Sequence, residues 1–229
     1  MYRKFLNARS PLRLLEKGLH GGLGKGNLGL ILAGPGVGKT ACLVGIALDD
    51  LLRGGHVMHV SLDHTVSHVR AFYDTVFDEL AASTQLKDEA QVHAELDRRR
   101  SIRAYPPNSL NAAKLREAVK VEAEAGGSPE LVIVEGFDFA SAPRDELLEL
   151  QGLAKELGAE LWLSASAPGE KVSELPPEIE PLSDLLSVIL ALEPGDGTVG
   201  LRALKDHENP DVSTLHVALD PRTLLLTRS

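Results

Sequence analysis

Lys39 and Thr40 stand side by side at the end of "AGPGVGKT", residues 33–40, with three glycines in the five positions before them. That spacing is suited to holding phosphate. Successive N–H groups around Gly36, Val37, Gly38 and Lys39 can converge on phosphate oxygens, because glycine permits the backbone turns such a cradle needs. Lys39 would set a cation on the β and γ phosphates, and Thr40 would offer a hydroxyl to Mg2+. The run Gly34, Pro35, Gly36, Val37, Gly38, Lys39, Thr40, Ala41 is therefore the candidate nucleotide-binding loop, with Ala33 at the place of the pattern's first glycine.

Phosphate chemistry at such a loop also needs carboxylates. One must sit at the tip of a neighbouring strand to manage the Mg2+ water shell. "LVIVEG" supplies Glu135 there, directly after four apolar residues, and Asp138 follows three positions on. A second carboxylate, Asp63, ends "HVSLD". Two roles are open to it: orienting an attacking water, or capping the helix that follows. Lys39, Asp63 and Glu135 are thus the catalytic candidates, and Thr40 and Glu135 the metal-binding ones.

Other reactive side chains have plainer explanations beside the functional ones. His64 and His68 are four apart on an expected helix, so they could share a metal or simply face solvent. Cys42 lies just inside the helix after the loop, as an activated thiol or a small buried residue. Phe137 and Phe139 alternate after a buried strand, where packing competes with base stacking. Arg98, Arg99 and Arg100 read as a solvated helix end or part of a subunit interface, and Trp162 as a side chain packed beneath a helix.

These residues need a frame. Ser10-Pro11 predicts a short helix ending near Gly18, then a glycine-rich lead-in to a strand over 28–33. A helix over 39–53 ends at Gly54-Gly55, as expected for a left-handed cap. Strands are predicted at 56–62, 101–105, 131–134, 160–165 and 187–192. Helices are predicted at 65–82, 86–100, 110–125 and 144–158, the first with Val69, Phe72, Val76 and Leu80 on one face. Residues 166–181 read as a surface loop, and 198–205, 215–219 and 223–226 as closing antiparallel strands. Strands alternating with helices, then a β-rich tail, predict a mainly parallel sheet with helices on both faces and a C-terminal antiparallel extension.

The 229 residues suit one large α/β domain spanning 1–229, with a lead-in helix and loop over 1–22. An apolar fraction of 43% supports a sizeable core. The net charge of −9 disfavours a broad nucleic-acid footprint. Loop 166–181 sharpens this, with Glu170, Glu174, Glu178 and Glu180 against Lys171. A single cysteine excludes an intrachain disulfide and fits a reducing compartment. The basic N-terminus lacks the continuous apolar stretch of a secretory signal, and no apolar run approaches the roughly 18 residues of a membrane span. The expectation is a cytoplasmic protein with no membrane partner.

Taken together, these stretches resemble the RecA superfamily of P-loop ATPases, most nearly the branch holding KaiC, RadA and DnaB. "GGLGKGNLGLILAGPGVGKT" is similar to that branch's opening, "VMHVSLD" to its second strand, "LVIVEG" to its Walker B strand, and "SVILAL" with "VGLRALKDH" to its closing section. The likeness spans residues 12 to 226. It implies a RecA-like fold, ATP and Mg2+ as ligands, and a homo-oligomer, a hexameric ring being one form. It also implies a trans-acting pair, at Lys205 and His207, reaching a neighbour's γ-phosphate. Three positions depart from the family. Asp63 is one methylene shorter than the family's catalytic glutamate, and Glu135 one longer than its aspartate. His207 replaces an arginine whose planar fork imidazole cannot reproduce. The expected function is slow ATP hydrolysis coupling nucleotide state to self-assembly or a protein partner. A non-hydrolysing ATP-binding scaffold and a DNA-linked recombinase or helicase accessory are the alternatives.

Overall fold

The computed structural model describes every residue except 1–5, 7, 9, 170, 173, 211, 213 and 214. Glu170 of the acidic loop thus lies outside the described residues. In chain order the elements are α1 (Leu12–Gly18), β1 (Leu28–Ala33), α2 (Lys39–Arg53), β2 (Val57–Ser61), α3 (Val66–Thr84), α4 (Glu89–Arg99), β3 (Arg100–Ala104), α5 (Ala112–Glu124), β4 (Leu131–Glu135), α6 (Arg144–Leu157) and β5 (Glu160–Ser166). A short 3-10 helix (Glu180–Leu185) then leads to β6 (Val188–Pro194), β7 (Val199–Asp206), β8 (Val217–Leu219) and β9 (Leu226–Arg228).

Among the described residues, one sheet joins nine strands in the order β3-β2-β4-β5-β1-β6-β7-β8-β9. The six strands from β3 to β6 run parallel, and β6 through β9 pair antiparallel. The mainly parallel sheet, the helices on both faces and the antiparallel extension all stand as the sequence predicts. No helix among the described residues is long and apolar enough to cross a membrane.

The strands are apolar throughout because both faces of a parallel sheet are covered. Alternation divides their side chains between two cores. Leu28, Leu30, Leu32, Met58, Val60, Val132 and Val134 face α5 and α6, with Leu115, Leu147 and Leu150. Ile31, Val57, Ile133 and Trp162 face α2, α3 and α4, with Leu43, Ala47, Tyr73 and Phe77. Trp162 lies across β1 at Gly29, where an added Cβ would meet the indole at 2.5 Å. The helix-facing packing expected of Trp162 therefore also depends on a missing side chain in the neighbouring strand.

Of the boundaries that differ from the sequence reading, three have a clear local reason. The charged helix over 86–100 begins only at Glu89, because Asp88 takes a left-handed conformation. It ends at Arg99, because Arg100 is extended and pairs with Val57. Arg100 is not a solvated helix end: its side chain is 4% exposed, stacks on Tyr73 and pairs with Asp97. The last strand starts at Leu226 rather than Thr223. A tight turn consumes the intervening residues, with the Asp220 carboxylate accepting from Arg222 N–H and Leu224 at φ +59°.

Candidate functional site

Every parallel strand ends at the same edge of the sheet. β1 delivers Gly34 there, β2 delivers Ser61 to Asp63, β4 delivers Glu135 and Gly136, and β5 delivers Ser166. Ligands of open α/β sheets gather outside this edge.

The glycine-rich loop bridges β1 and α2. Gly36 and Gly38 have φ of +74° and +118°. Gly38 is doubly constrained, since a Cβ on it would fall 2.5 Å from Leu219 of β8. No side chain caps α2, and its first helical bond is the one Cys42 N–H donates to Gly38 O at 2.9 Å. The N–H groups at the start of the helix are thus free of helical carbonyls and carry the positive end of the helix dipole. Lys39 folds back over the loop, donating to Ala33 O at 3.2 Å, Gly34 O at 3.3 Å and Ser166 Oγ at 3.1 Å. Burial lowers its pKa from the ordinary lysine value, against the opposing charges of Asp63 and Glu135.

Thr40 and Glu135 meet: the Thr40 hydroxyl donates to Glu135 Oε1. Ser61 Oγ donates to Glu135 Oε2 at 3.1 Å, and His59 Nε2 stands 3.5 Å from the same oxygen. Burial pushes the Glu135 carboxyl upward. The nearby His59 ring, the bond from Thr40 and the nearby His64 outweigh this and leave its pKa below the usual glutamate value. A hydroxyl and an ionised carboxylate at one point form an all-oxygen donor set, which fits a hard divalent cation such as Mg2+.

Asp63 does not cap the following helix. Thr65 does, its side chain accepting from His68 N–H. Asp63 is exposed and sits against Gly136, where an added Cβ would strike its carboxylate. It helps line a groove of about 250 Å3 that also includes Asp138, Ser166 and Glu178. Phe137 and Phe139 pack edge to face with centroids 4.9 Å apart, and Phe139 is buried. The rings of His64 and His68 lie 4.4 Å apart. Cys42 is fully buried and its thiol is pushed up to about 12, the opposite of an activated thiol.

Lys205 and His207 are elsewhere. β7 runs antiparallel to β6, so its end pairs with Val188 at the start of β6, the edge remote from the loop. Lys205 Nζ donates to Ser183 O at 2.7 Å, and His207 Nε2 lies 3.1 Å from Leu23 O. A cavity of about 500 Å3 also opens at this remote edge, between α1 and the end of α2. Its charged lining is largely self-paired, through Lys25–Glu130 at 3.0 Å and Arg53–Glu16 at 3.3 Å.

Sequence reasoning passed over His59, Ser61, Ser166 and Tyr73. A signal existed for two of them: His59 and Ser61 share one side of an otherwise apolar, fully buried strand. Polar groups there need a partner, and Glu135 is that partner.

No family model and no curated protein matches the sequence. Among solved structures, an ATPase domain matches with a TM-score of 0.71 at 14% identity, over 94% of this chain and 88% of that one. It is one of 605 matching chains, so the likeness marks an architecture that many proteins share. At that identity it establishes fold alone: the chain has the RecA-like α/β fold.

Proposed function

We propose that residues 1–229 form one RecA-like nucleotide-binding domain that binds Mg-ATP and hydrolyses it slowly, coupling nucleotide state to self-assembly or a protein partner. The observation carrying this reading is the convergence of Lys39, the uncapped start of α2 and the Thr40–Glu135 pair at the carboxyl edge of the sheet. The similarity to an ATPase domain supports ATP as the nucleotide.

Gly34 to Ala41 would wrap the phosphates, with Lys39 exchanging its carbonyl partners for phosphate oxygens. Thr40 and Glu135 would hold Mg2+, which when bound offsets the charge of the phosphates. Asp63, exposed at the groove rim, would orient the attacking water. Its short side chain is one reason to expect slow turnover. The other is the missing arginine finger, since His207 is tied to Asp206 and Leu23 at the remote edge. A trans role for Lys205, in a hexameric ring or another homo-oligomer, would require release of its bond to Ser183. The reading places the chain in the cytoplasm, consistent with a lone, buried cysteine. A DNA-linked role is disfavoured by the groove beside the loop, where Asp63, Asp138 and Glu178 would repel a phosphate backbone.

The test is phosphate release from ATP by the purified chain, beside Asp63→Ala and Lys205→Ala, with particle size measured with and without ATP. The expected result is slow release that Asp63→Ala abolishes and an ATP-dependent increase in size. Binding without release above that variant would favour the non-hydrolysing scaffold. A monomer under all nucleotide conditions would remove the trans role of Lys205.

A further inference from the structure

His59 is completely buried in the middle of β2, and its Nε2 has no hydrogen-bond partner. A polar ring in that position costs stability unless something uses it. Its surroundings define what could. Nδ1 lies 3.1 Å from the Tyr73 hydroxyl. Nε2 points toward Glu135, 3.5 Å from Oε2. Tyr73 is itself fully buried, with the Arg100 guanidinium 4.4 Å from its ring centroid and Arg100 held by Asp97. Burial raises the phenol's pKa, so Tyr73 keeps its proton.

The protons then follow from the geometry. A protonated Tyr73 hydroxyl within reach of Nδ1 donates to it. A ring whose Nδ1 accepts carries its proton on Nε2, the nitrogen facing Glu135. We infer that His59 is a positioning residue for the metal-binding carboxylate: its unpartnered Nε2–H, 3.5 Å from Oε2, is the reserve donor that keeps Glu135 aimed once Thr40 serves a metal, and Tyr73 selects the tautomer. The inference rests on the proposed function and deepens it. Glu135 accepts from Thr40 and Ser61, with His59 Nε2 standing 3.5 Å from Oε2. With Thr40 given over to a metal, Ser61 would remain as a donor and His59 Nε2–H would be free to close on the carboxylate and keep it aimed. Outer partners of metal ligands commonly act in this way.

The experiment is calorimetric titration of the full chain with ADP, with and without Mg2+, on unsubstituted protein, His59→Phe, His59→Gln and Tyr73→Phe. The readout is the gain in affinity that Mg2+ confers. His59→Phe is expected to lose about tenfold of that gain while metal-free ADP affinity is unchanged. His59→Gln, whose amide can place an N–H where Nε2 stood, is expected to keep the gain to within about threefold. Tyr73→Phe leaves the ring but not the tautomer preference, and is expected to lose about threefold. Should His59→Phe fail to fold, the Gln and Tyr73→Phe variants carry the test alone. A full Mg2+ gain in folded His59→Phe overturns the inference, as does a full gain in Tyr73→Phe if the former cannot be made. Failure of the unsubstituted chain to bind ADP at all would instead sink the proposed function, and the inference with it.

Discussion

At the carboxyl edge of the parallel strands, Lys39 leans on three oxygens of its own chain, α2 begins without a cap, and Asp63 faces solvent. At the opposite edge, His20, His207 and Asn209 close on Asp206. His20 Nδ1 lies 2.6 Å from Oδ2, His207 Nδ1 2.9 Å from Oδ1, and Asn209 Nδ2 3.4 Å from Oδ2. Asp206 is 1% exposed. Similar residue types therefore serve two purposes. One edge leaves its donors on weak partners, as the proposed phosphate site requires. The other pins the glycine-rich lead-in, through Leu23 and His20, to the end of β7. Polar groups that have exchanged bonds among themselves stabilise a fold; polar groups held near, but not locked to, weak partners remain available to a ligand.

The contrast can be broken most sharply at the loop. Lys39→Ala should weaken ATP binding about 100-fold, the scale of lost charge-assisted bonds to phosphate, and leave thermal stability nearly unchanged. Equal affinity in calorimetry would erase the distinction between the edges. Gly38→Ala should destabilise the chain by about 2 kcal/mol in denaturant titration, because alanine disfavours φ +118° and its methyl would strike Leu219.

The remote edge should respond in the reverse sense. Asp206→Asn is expected to cost about 2 kcal/mol of stability with ATP affinity intact. Burial pushes the Asp206 carboxyl up, but bonds from His207, His20 and Asn209 outweigh that and hold its pKa below the ordinary 3.8. Its contribution is therefore complete above about pH 4 and fades as pH falls through the lower folded value. Acid titration of stability should lose that component in the variant. Asp50, lining the remote cavity, behaves oppositely. Burial raises its carboxyl to about 6, partly offset by Arg53. Between 3.8 and about 6 the folded chain holds the extra proton, so stability falls as pH rises across that window. Asp50→Asn should gain about 1 kcal/mol at pH 7, after allowing for partial solvent screening, and nothing at pH 3.5.

The loop and the sheet were legible in the sequence because their signals are local. Gly36, Gly38 and Lys39 form one contiguous run, and "LVIV" before Glu135 needs no distant information to read as a buried strand. The role of Asp63 was only half legible. Helix capping and water orientation both begin with a carboxylate before "HTVSHV", and only the structure shows that Thr65 holds the cap. The ring of partners around Glu135 was not read at all. Thr40, Ser61, His59 and Tyr73 come from three elements, and which of them touch depends on β2 lying beside β4 in register, Ser61 opposite Glu135. Strand direction, which the motif alone does not give, carries Lys205 to the edge remote from its own loop.

On the proposed reading, one edge of this sheet takes the nucleotide and the other does not. Backbone amide NMR of the isotopically labelled chain, titrated with Mg-ATP, reads both edges at once. Saturable shifts are expected at Gly36 to Ala41, Asp63 and Gly136, with His20, Asp206 and His207 unmoved. Shifts that saturate around His20, Asp206 and the α1 cavity, with Gly36 to Ala41 unmoved, would contradict it.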